Sequence, residues 1–286
     1  NEIKEMEMDF FLSDEERALK EMAKSFTEKE IMPYADKWDA EVYFPIDIIR
    51  KMGELGFYGT LIPEEYGGTD LGFMAMCLLT EEVARGSSSI RGAINMQCTG
   101  TAYNILKNGN QEQKEKYIPG LVSAEKLGCF AITEPNAGSD VLAMRSKAAL
   151  DGSAYILSGT KNWISFANVA DIAIVYAYTD TEVKKTKGMS AFIVEMDSPG
   201  ISTTEVHKIG SHSFPTGEIV FEDVRVPKEN LLGAPGDGVK IVFGSLPDTR
   251  LGVAAGAVGL AEICLEKSIE YCQEREQFGS PISKFQ

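Results

Sequence analysis

Several residue types are scarce in this chain, and each scarcity excludes a class of protein. Among its 286 residues there are two histidines and five cysteines, at Cys77, Cys98, Cys129, Cys264 and Cys272. An odd number of scattered cysteines without CxxC spacing predicts free thiols in a reducing compartment, not disulfides or structural zinc. Because no HExxH or comparable spacing of ligands occurs, the sequence also predicts no bound metal.

Basic residues and long apolar runs are also in short supply. Lys and Arg number 28 against 43 Asp and Glu, so the formal net charge is -15. Without a basic patch, net repulsion argues against nucleic acid or an anionic membrane as a partner. The opening residues, NEIKEMEMDFFL, are acidic and contain no long apolar run. They predict neither a secretory signal nor membrane insertion.

The residues that are present form three patterns along the chain. Apolar residues recur at helical spacing up to about residue 124, and Ser13 is a plausible cap for the first helix. Alternating β-branched runs such as DIAIVYAYTD and EIVFEDVRV then predict strands, and CLEKSIEYCQERE returns to helix. The prediction is an α+β fold with three domains. They are an N-terminal α-helical domain (1–126), a middle β domain that is barrel-like (127–236) and the start of a C-terminal helical bundle (237–286).

The segment from Phe130 to Ser165 carries the strongest chemical signal. Its first part reads FAITEPNAGSD, a strand end followed by a turn rich in Pro, Asn and Gly whose backbone donors are free. Its last part reads LSGTKNWISFA, which is typical of a sheet with one wet face. This chemistry predicts a ligand-facing loop, with the Trp163 indole covering a planar ring.

These residues resemble the acyl-CoA dehydrogenase family of FAD enzymes. Further segments on both sides of this one fall in the family's order and spacing, including GELGFYGTLIPEEYGG, SAFIVEMDSPGI, FEDVRVPKENLLG, TRLGVAAGAVGLA and REQFGSPISKFQ. The match covers essentially residues 9 to 286. The resemblance implies FAD-dependent α,β-dehydrogenation of an acyl-CoA thioester, with electrons passed to an electron-transferring flavoprotein. It also implies a homotetramer, in a bacterial cytoplasm or the mitochondrial matrix.

The resemblance further implies roles for individual residues. Ile132 and Thr133 correspond to contacts with the pyrimidine side of the flavin, Trp163 shields one edge, and Ser165 replaces a common Thr near N5. Ser139 corresponds to the lining of the acyl-CoA channel, and Arg250 to a helix Arg near the CoA entrance. The remaining flavin contacts implied are Phe130 in this subunit and, reaching the FAD of a neighbouring subunit, Arg275, Gln277, Phe278 and Gln286.

The family's usual catalytic glutamate has no counterpart in this sequence. In most members it lies in a continuation beyond the position of Gln286, and in some relatives it stands where this chain has Thr249. We therefore expect a chain that lacks its general base through truncation, with Thr249 as a possible substrate contact. A naturally short, non-catalytic flavin- or CoA-binding scaffold is the alternative.

Arg91 is the residue on which the expected substrate depends. The segment EEVARGSSSIRGAIN places Arg91 and Asn95 one helical turn apart, where family members close the acyl cavity. An Arg inside a cavity requires an anionic partner. Arg91 therefore resembles the Arg of the glutaryl-CoA dehydrogenase branch, which binds the distal carboxylate of the substrate. Glutaryl-CoA is the leading expectation, followed by 2-substituted succinyl-CoA esters such as benzylsuccinyl-CoA. If Arg91 is instead a surface residue like Arg85, a monocarboxylic short or branched acyl-CoA is expected.

Overall fold

A computed structural model describes residues 11–285 and confirms the predicted α+β class. Seven α-helices precede the first strand of this part of the chain. Two π-helical segments, Thr27–Ile31 and Asn95–Ala102, interrupt them. The helices are α1 Asp14–Phe26, α2 Ala35–Ala40, α3 Ile46–Glu54, α4 Gly72–Gly86, α5 Ser88–Ile94, α6 Tyr103–Asn108 and α7 Gln111–Val122.

The cap predicted at Ser13 is present and begins α1. The Glu16 amide donates to Ser13 Oγ (3.1 Å), and the Ser13 amide donates to the Glu16 carboxylate (2.8 Å). This reciprocal pair satisfies two amides that a helix start would otherwise leave open. The helix α1 packs against α4, and the Lys20 ammonium of α1 lies 2.8 Å from the Glu81 carboxylate of α4.

An eight-stranded sheet forms the middle of the chain. Its strands are β1 Gly128–Ala131, β2 Lys147–Asp151, β3 Ala154–Ser165, β4 Ile172–Tyr178, β5 Met189–Glu195, β6 Ile201–Glu205, β7 Thr216–Pro227 and β8 Leu231–Leu232, with a short helix, α8 Lys185–Gly188, before β5. The strand order is β6-β7-β3-β2-β4-β5-β8, and β1 pairs in parallel with β4. Every residue of β4 is buried, so the continuous apolar run in the sequence marks the centre of the sheet.

A 37-residue helix, α9 Gly238–Glu274, follows the sheet and packs along α4. The buried Gly259 of α9 permits the close approach, because a Cβ there would lie 2.0 Å from the Glu81 carbonyl oxygen. A short hairpin of β9 Glu276–Gln277 and β10 Ser280–Pro281 follows, and a 3-10 helix, Ile282–Lys284, comes last in the described chain. Within residues 11–285, no helix has the length and apolar content needed to cross a membrane.

Gln97 joins the helical region to the first strand of the sheet. Its fully buried amide donates to the carbonyl oxygens of Leu121 (3.0 Å) and Lys126 (2.9 Å), and it accepts from the Gly128 amide (2.7 Å). One side chain thereby supplies hydrogen-bond partners to three backbone groups, and those of Leu121 and Gly128 belong to buried residues. The position of β1 relative to α7 depends on these bonds.

We expect Gln97→Leu to lower the free energy of unfolding by about 1–3 kcal/mol. Leucine has similar size but leaves the buried Gly128 amide without its partner, at a cost of about 1–3 kcal/mol. Urea unfolding of the purified protein measures the loss, with Gln273→Leu on the exposed surface of α9 as the matched control. Equal stability of the two variants would show that the Gln97 bonds contribute nothing.

Candidate active site

A bulge in β3 presents Trp163 to the solvent. The pairing of β3 with β7 shifts register between Lys161 and Ile164, because Asn162 and Trp163 together oppose a single residue. Trp163 has a φ of 59° and is 58% exposed. A bulky residue in this backbone region costs about 1–2 kcal/mol, and such strain concentrates at functional sites. The Asn162 side chain supports the conformation by accepting from the Trp163 amide at 2.8 Å.

The end of β1 lies beside this bulge. The Asn162 amide donates to the Thr133 carbonyl oxygen at 2.9 Å, which brings Ile132 and Thr133 next to Trp163. The hydroxyls of Thr133 and Ser165 have no hydrogen-bond partner among residues 11–285 and remain available to a ligand. The structure thus brings together four of the residues that the sequence predicts as flavin contacts.

The chemistry of this surface fits an isoalloxazine ring. An exposed indole provides a flat apolar face, and free hydroxyl groups and a strand end provide polar partners for the ring edges. Phe130 contributes less directly, because its half-buried ring packs against Tyr176 with centroids 5.1 Å apart. These individual roles stay predictions.

A buried ion pair supports the same surface, and sequence reasoning missed it. The Lys161 side chain has no exposed area, and its Nζ donates to Glu134 Oε1 (2.8 Å) and to the Ile132 carbonyl oxygen (3.2 Å). The Glu134 carboxylate also accepts from the amides of Arg145 (2.6 Å) and Ser146 (3.0 Å) and from the Ser146 hydroxyl (2.6 Å). Burial lowers the pKa of Lys161 to about 8, and the neighbouring Glu134 carboxylate opposes this shift.

One signal in the sequence indicates this pair. Leu157, Gly159 and Lys161 share a face of β3 by the two-residue period of a strand, and Leu157 is fully buried. A lysine on a buried face requires a carboxylate within reach, since an unpaired buried charge is too costly. Alternation therefore predicts that Lys161 has an acidic partner, but it does not say which one.

Arg91 and Asn95 lie against the backbone of α9. Ser87 caps α5 by accepting from the Ile90 amide at 3.2 Å, and Asn95 opens the second π-helical segment. A Cβ at Gly256 would lie 2.7 Å from Arg91 Nε, and a Cβ at Gly252 would lie 2.8 Å from Asn95 Oδ1. The two glycines therefore provide the room that these polar side chains occupy between the helices.

Both side chains carry a buried polar atom without a partner in the described part of the chain. Arg91 Nε and Asn95 Oδ1 make no hydrogen bond, although Asn95 Nδ2 donates to the Thr249 carbonyl oxygen at 3.1 Å. Asn95 is only 5% exposed, and burial lowers the pKa of the Arg91 guanidinium. An anion placed beside Arg91 would relieve this cost.

Arg85, six residues earlier, shows the opposite situation. Its guanidinium meets three carboxylates, those of Glu82 (3.5 Å), Glu262 (3.2 Å) and Glu266 (2.6 Å). Hydrogen bonding to Glu266 is the main cause of the raised pKa of Arg85. The same segment thus contains one arginine whose charge is neutralised within the chain and one, Arg91, whose charge is not.

The other predicted contacts are spread over separate segments. Ser139 and Arg250 are exposed, and neither side chain has a hydrogen-bond or ion-pair partner among residues 11–285. Thr249 is half-buried, and its hydroxyl donates to the Leu246 carbonyl oxygen at 3.0 Å. No group of three or more potential metal ligands forms within the described residues. Three further contacts, Arg275, Gln277 and Phe278, lie exposed on the segment after α9, and Gln286 lies outside the described residues.

Comparisons with known proteins match the whole length of this architecture. The acyl-CoA dehydrogenase N-terminal domain matches residues 13–125, the middle domain residues 129–224 and the C-terminal domain residues 236–286. The chain belongs to the acyl-CoA dehydrogenase family, whose members are FAD-dependent oxidoreductases acting on CH–CH bonds. The predicted family and enzyme class are confirmed.

Particular relatives share most of the chain. It is 54% identical over 283 residues to glutaryl-CoA dehydrogenase of Desulfococcus multivorans, a match that covers 98% of this chain and 72% of the relative. It is 40% identical over 278 residues to a mitochondrial 2-methylacyl-CoA dehydrogenase of Solanum tuberosum, covering 96% and 67%. A solved glutaryl-CoA dehydrogenase in complex with glutaryl-CoA superposes with a TM-score of 0.95 at 54% identity, covering 97% and 71%.

The pKa of the Glu134 carboxyl generates a pH prediction. Burial opposes its ionisation, but Lys161 and the hydrogen bonds from Ser146 and Arg145 outweigh burial and lower the pKa below the ordinary 4.5. Such a carboxyl contributes stability above its unfolded pKa and loses that contribution as the pH falls through the folded pKa. We expect the stability difference between wild type and Glu134→Gln to shrink as the pH falls from about 4.5, measured by urea unfolding. A difference that grows in acid would contradict the lowered pKa.

The backbone at Trp163 generates a second prediction. We expect Trp163→Gly to be more stable than Trp163→Ala by about 1 kcal/mol, because only glycine adopts the positive φ without strain. Thermal unfolding of the cofactor-free protein compares them. At Thr203, an exposed position on β6, the alanine variant should instead be more stable than the glycine variant. Alanine equal to glycine at position 163 would show that the bulge does not hold this conformation.

Proposed function

We propose that this protein is an FAD-dependent acyl-CoA dehydrogenase that acts on a short dicarboxylic acyl-CoA, with glutaryl-CoA as the leading substrate. The observation that carries the proposal is the state of Arg91. Its guanidinium is partly buried against Gly256, and its Nε has no hydrogen-bond partner within residues 11–285. A substrate carboxylate would supply the missing anion with the forked geometry that arginine favours.

Asn95 has a different part in this proposal. Its Oδ1 can only accept a hydrogen bond, so a carboxylate cannot satisfy it directly. An ordered water could donate to Asn95 Oδ1 and to the carboxylate while accepting from Arg91 Nε. The pair therefore suits a carboxylate held partly through water, and the Thr249 carbonyl oxygen holds the amide of Asn95 in place.

The flavin would lie against the β3 bulge. Ile132 and Thr133 would contact the pyrimidine side, Trp163 would cover one edge, and the Ser165 hydroxyl would donate near N5. Serine lacks the methyl group that restricts a threonine rotamer, so this donor is less firmly oriented. Bound FAD supplies the acceptor for the hydride that leaves the β carbon of the thioester.

The remaining predicted contacts belong to the CoA portion and to a second subunit. Ser139 and Arg250 would serve as polar anchors along the thioester's CoA. The exposed residues Arg275, Gln277 and Phe278, with Gln286, would meet the FAD of a neighbouring subunit in a homotetramer. Electrons would pass to an electron-transferring flavoprotein, in a bacterial cytoplasm or the mitochondrial matrix.

The general base that removes the α proton is not assigned to any residue within 11–285. Thr249 stands where some relatives carry a glutamate, but its hydroxyl donates to the Leu246 carbonyl oxygen. A threonine hydroxyl does not ionise near neutral pH, so it cannot take the proton. In this proposal the described residues bind the substrate and the flavin, and none of them removes the proton.

We expect Arg91→Gln in the full-length enzyme to lower kcat/KM more for glutaryl-CoA than for butyryl-CoA. The extra loss should correspond to about 2–4 kcal/mol of activation free energy. The reason is the loss of a charged hydrogen bond in a partly desolvated site, which only the dicarboxylic substrate makes. Flavin bleaching by each thioester measures the difference. Arg85→Gln is the matched control, and it should leave the ratio of the two substrates unchanged.

The possible results of this bleaching experiment separate the candidate functions. Equal losses on both substrates would defeat the carboxylate assignment of Arg91. Preferential bleaching of the wild type by butyryl-CoA would indicate a monocarboxylic enzyme, the class to which the 2-methylacyl-CoA dehydrogenase relative belongs. No bleaching by either thioester would favour a bulkier 2-substituted succinyl-CoA, such as benzylsuccinyl-CoA, or a non-catalytic scaffold.

A further inference from the structure

The two sides of the proposed flavin site belong to strands that do not pair with each other. Ile132 and Thr133 follow β1, whose ladder partner is β4. Trp163 stands on β3, which pairs with β2 and β7. No sheet ladder within the described residues therefore sets the distance between the Ile132–Thr133 backbone and the Trp163 bulge. Some other contact must fix it.

Two connections cross this gap directly. One is the single backbone bond from the Asn162 amide to the Thr133 carbonyl oxygen. The other is Lys161, which stands two residues before Trp163 and donates to the Ile132 carbonyl oxygen and to Glu134. Because Lys161 is fully buried and Glu134 is 7% exposed, neither water nor salt screens this contact effectively.

The Glu134 carboxylate extends the connection to a third segment. It accepts from the backbone amides of Arg145 and Ser146, which immediately precede β2. The Glu134 backbone also forms an isolated bridge with Ala137, which closes the turn that leads to Ser139. One carboxylate thus orients the turn after β1, the start of β2 and, through Lys161, the bulge of β3.

We propose that Glu134 and Lys161 are positioning residues for the flavin, whose ion pair sets the spacing between Ile132–Thr133 and Trp163. The inference rests on the flavin site proposed above. Replacing a buried ion pair with apolar residues of similar volume is often neutral for stability. What apolar residues cannot supply is a set of directed bonds to the Ile132 carbonyl and to the amides before β2.

Two variants separate positioning from stability. Lys161→Met leaves the Glu134 carboxylate buried without its cation, so it should lower the thermal midpoint and weaken FAD binding. The double variant Glu134→Gln/Lys161→Met removes the unpaired charge and should regain stability. Its FAD affinity should stay about tenfold or more below wild type, because the directed bond to Ile132 is still missing. A purely structural pair would recover both properties together.

Hydrogen exchange provides a readout that needs no flavin. The Asn162 amide, which donates to Thr133, should exchange slowly in the cofactor-free wild type and faster in both Lys161 variants. Ile49→Ala is the matched control, since it removes fully buried volume on α3, a helix that forms none of the hydrogen bonds of Glu134 or Lys161. Below its own thermal midpoint it should keep both Asn162 protection and FAD affinity.

The failures are distinguishable. A full-length wild type that binds no FAD would overturn the flavin site and this inference with it. A wild type that binds FAD, beside a double variant that binds FAD equally well and protects Asn162 equally well, would overturn the inference alone. The flavin site itself would then stand.

Discussion

The cost of leaving a charge without a partner inside a protein governs the arrangement of this site. Lys161 occupies a fully buried position on β3, and it is tolerable there only because Glu134 reaches it. Glu134 can do so only if the turn after β1 folds over the strand, and its remaining lone pairs then take up the amides that precede β2. The shape of the loop proposed to face the flavin follows from where this one cation must find its anion.

The cost of an unpaired charge has a different consequence at Arg91. Arg85 is neutralised by carboxylates of α4 and α9, so it serves to hold these helices together. Arg91 lies against the same helix α9, but at Gly256, where there is room for a guanidinium and no acidic side chain pairs with it in the described chain. Two arginines of one segment therefore differ in their charge partners because of what α9 presents to each of them.

The sequence predicted the general architecture well. Apolar periodicity indicated the helices, alternation indicated the strands, and the Ser13 cap is formed as expected. The motifs also predicted a flavin-facing segment, because the order of residues along FAITEPNAGSD and LSGTKNWISFA is a local property. Sequence reasoning missed the partner of Lys161, since Glu134 lies 27 residues away and no spacing rule links a turn to a strand.

The sequence by itself determined the family, the α+β class and the residue types available for a flavin and a carboxylate, because these depend on local patterns and on motif order. The tertiary structure alone decided three further things: that Trp163 is displayed on a strained bulge, that Glu134 and Lys161 pair beneath it, and that no carboxylate within residues 11–285 pairs with Arg91. Each of these depends on which distant segments pack together. Packing sets burial, and burial sets the free energy of a charge.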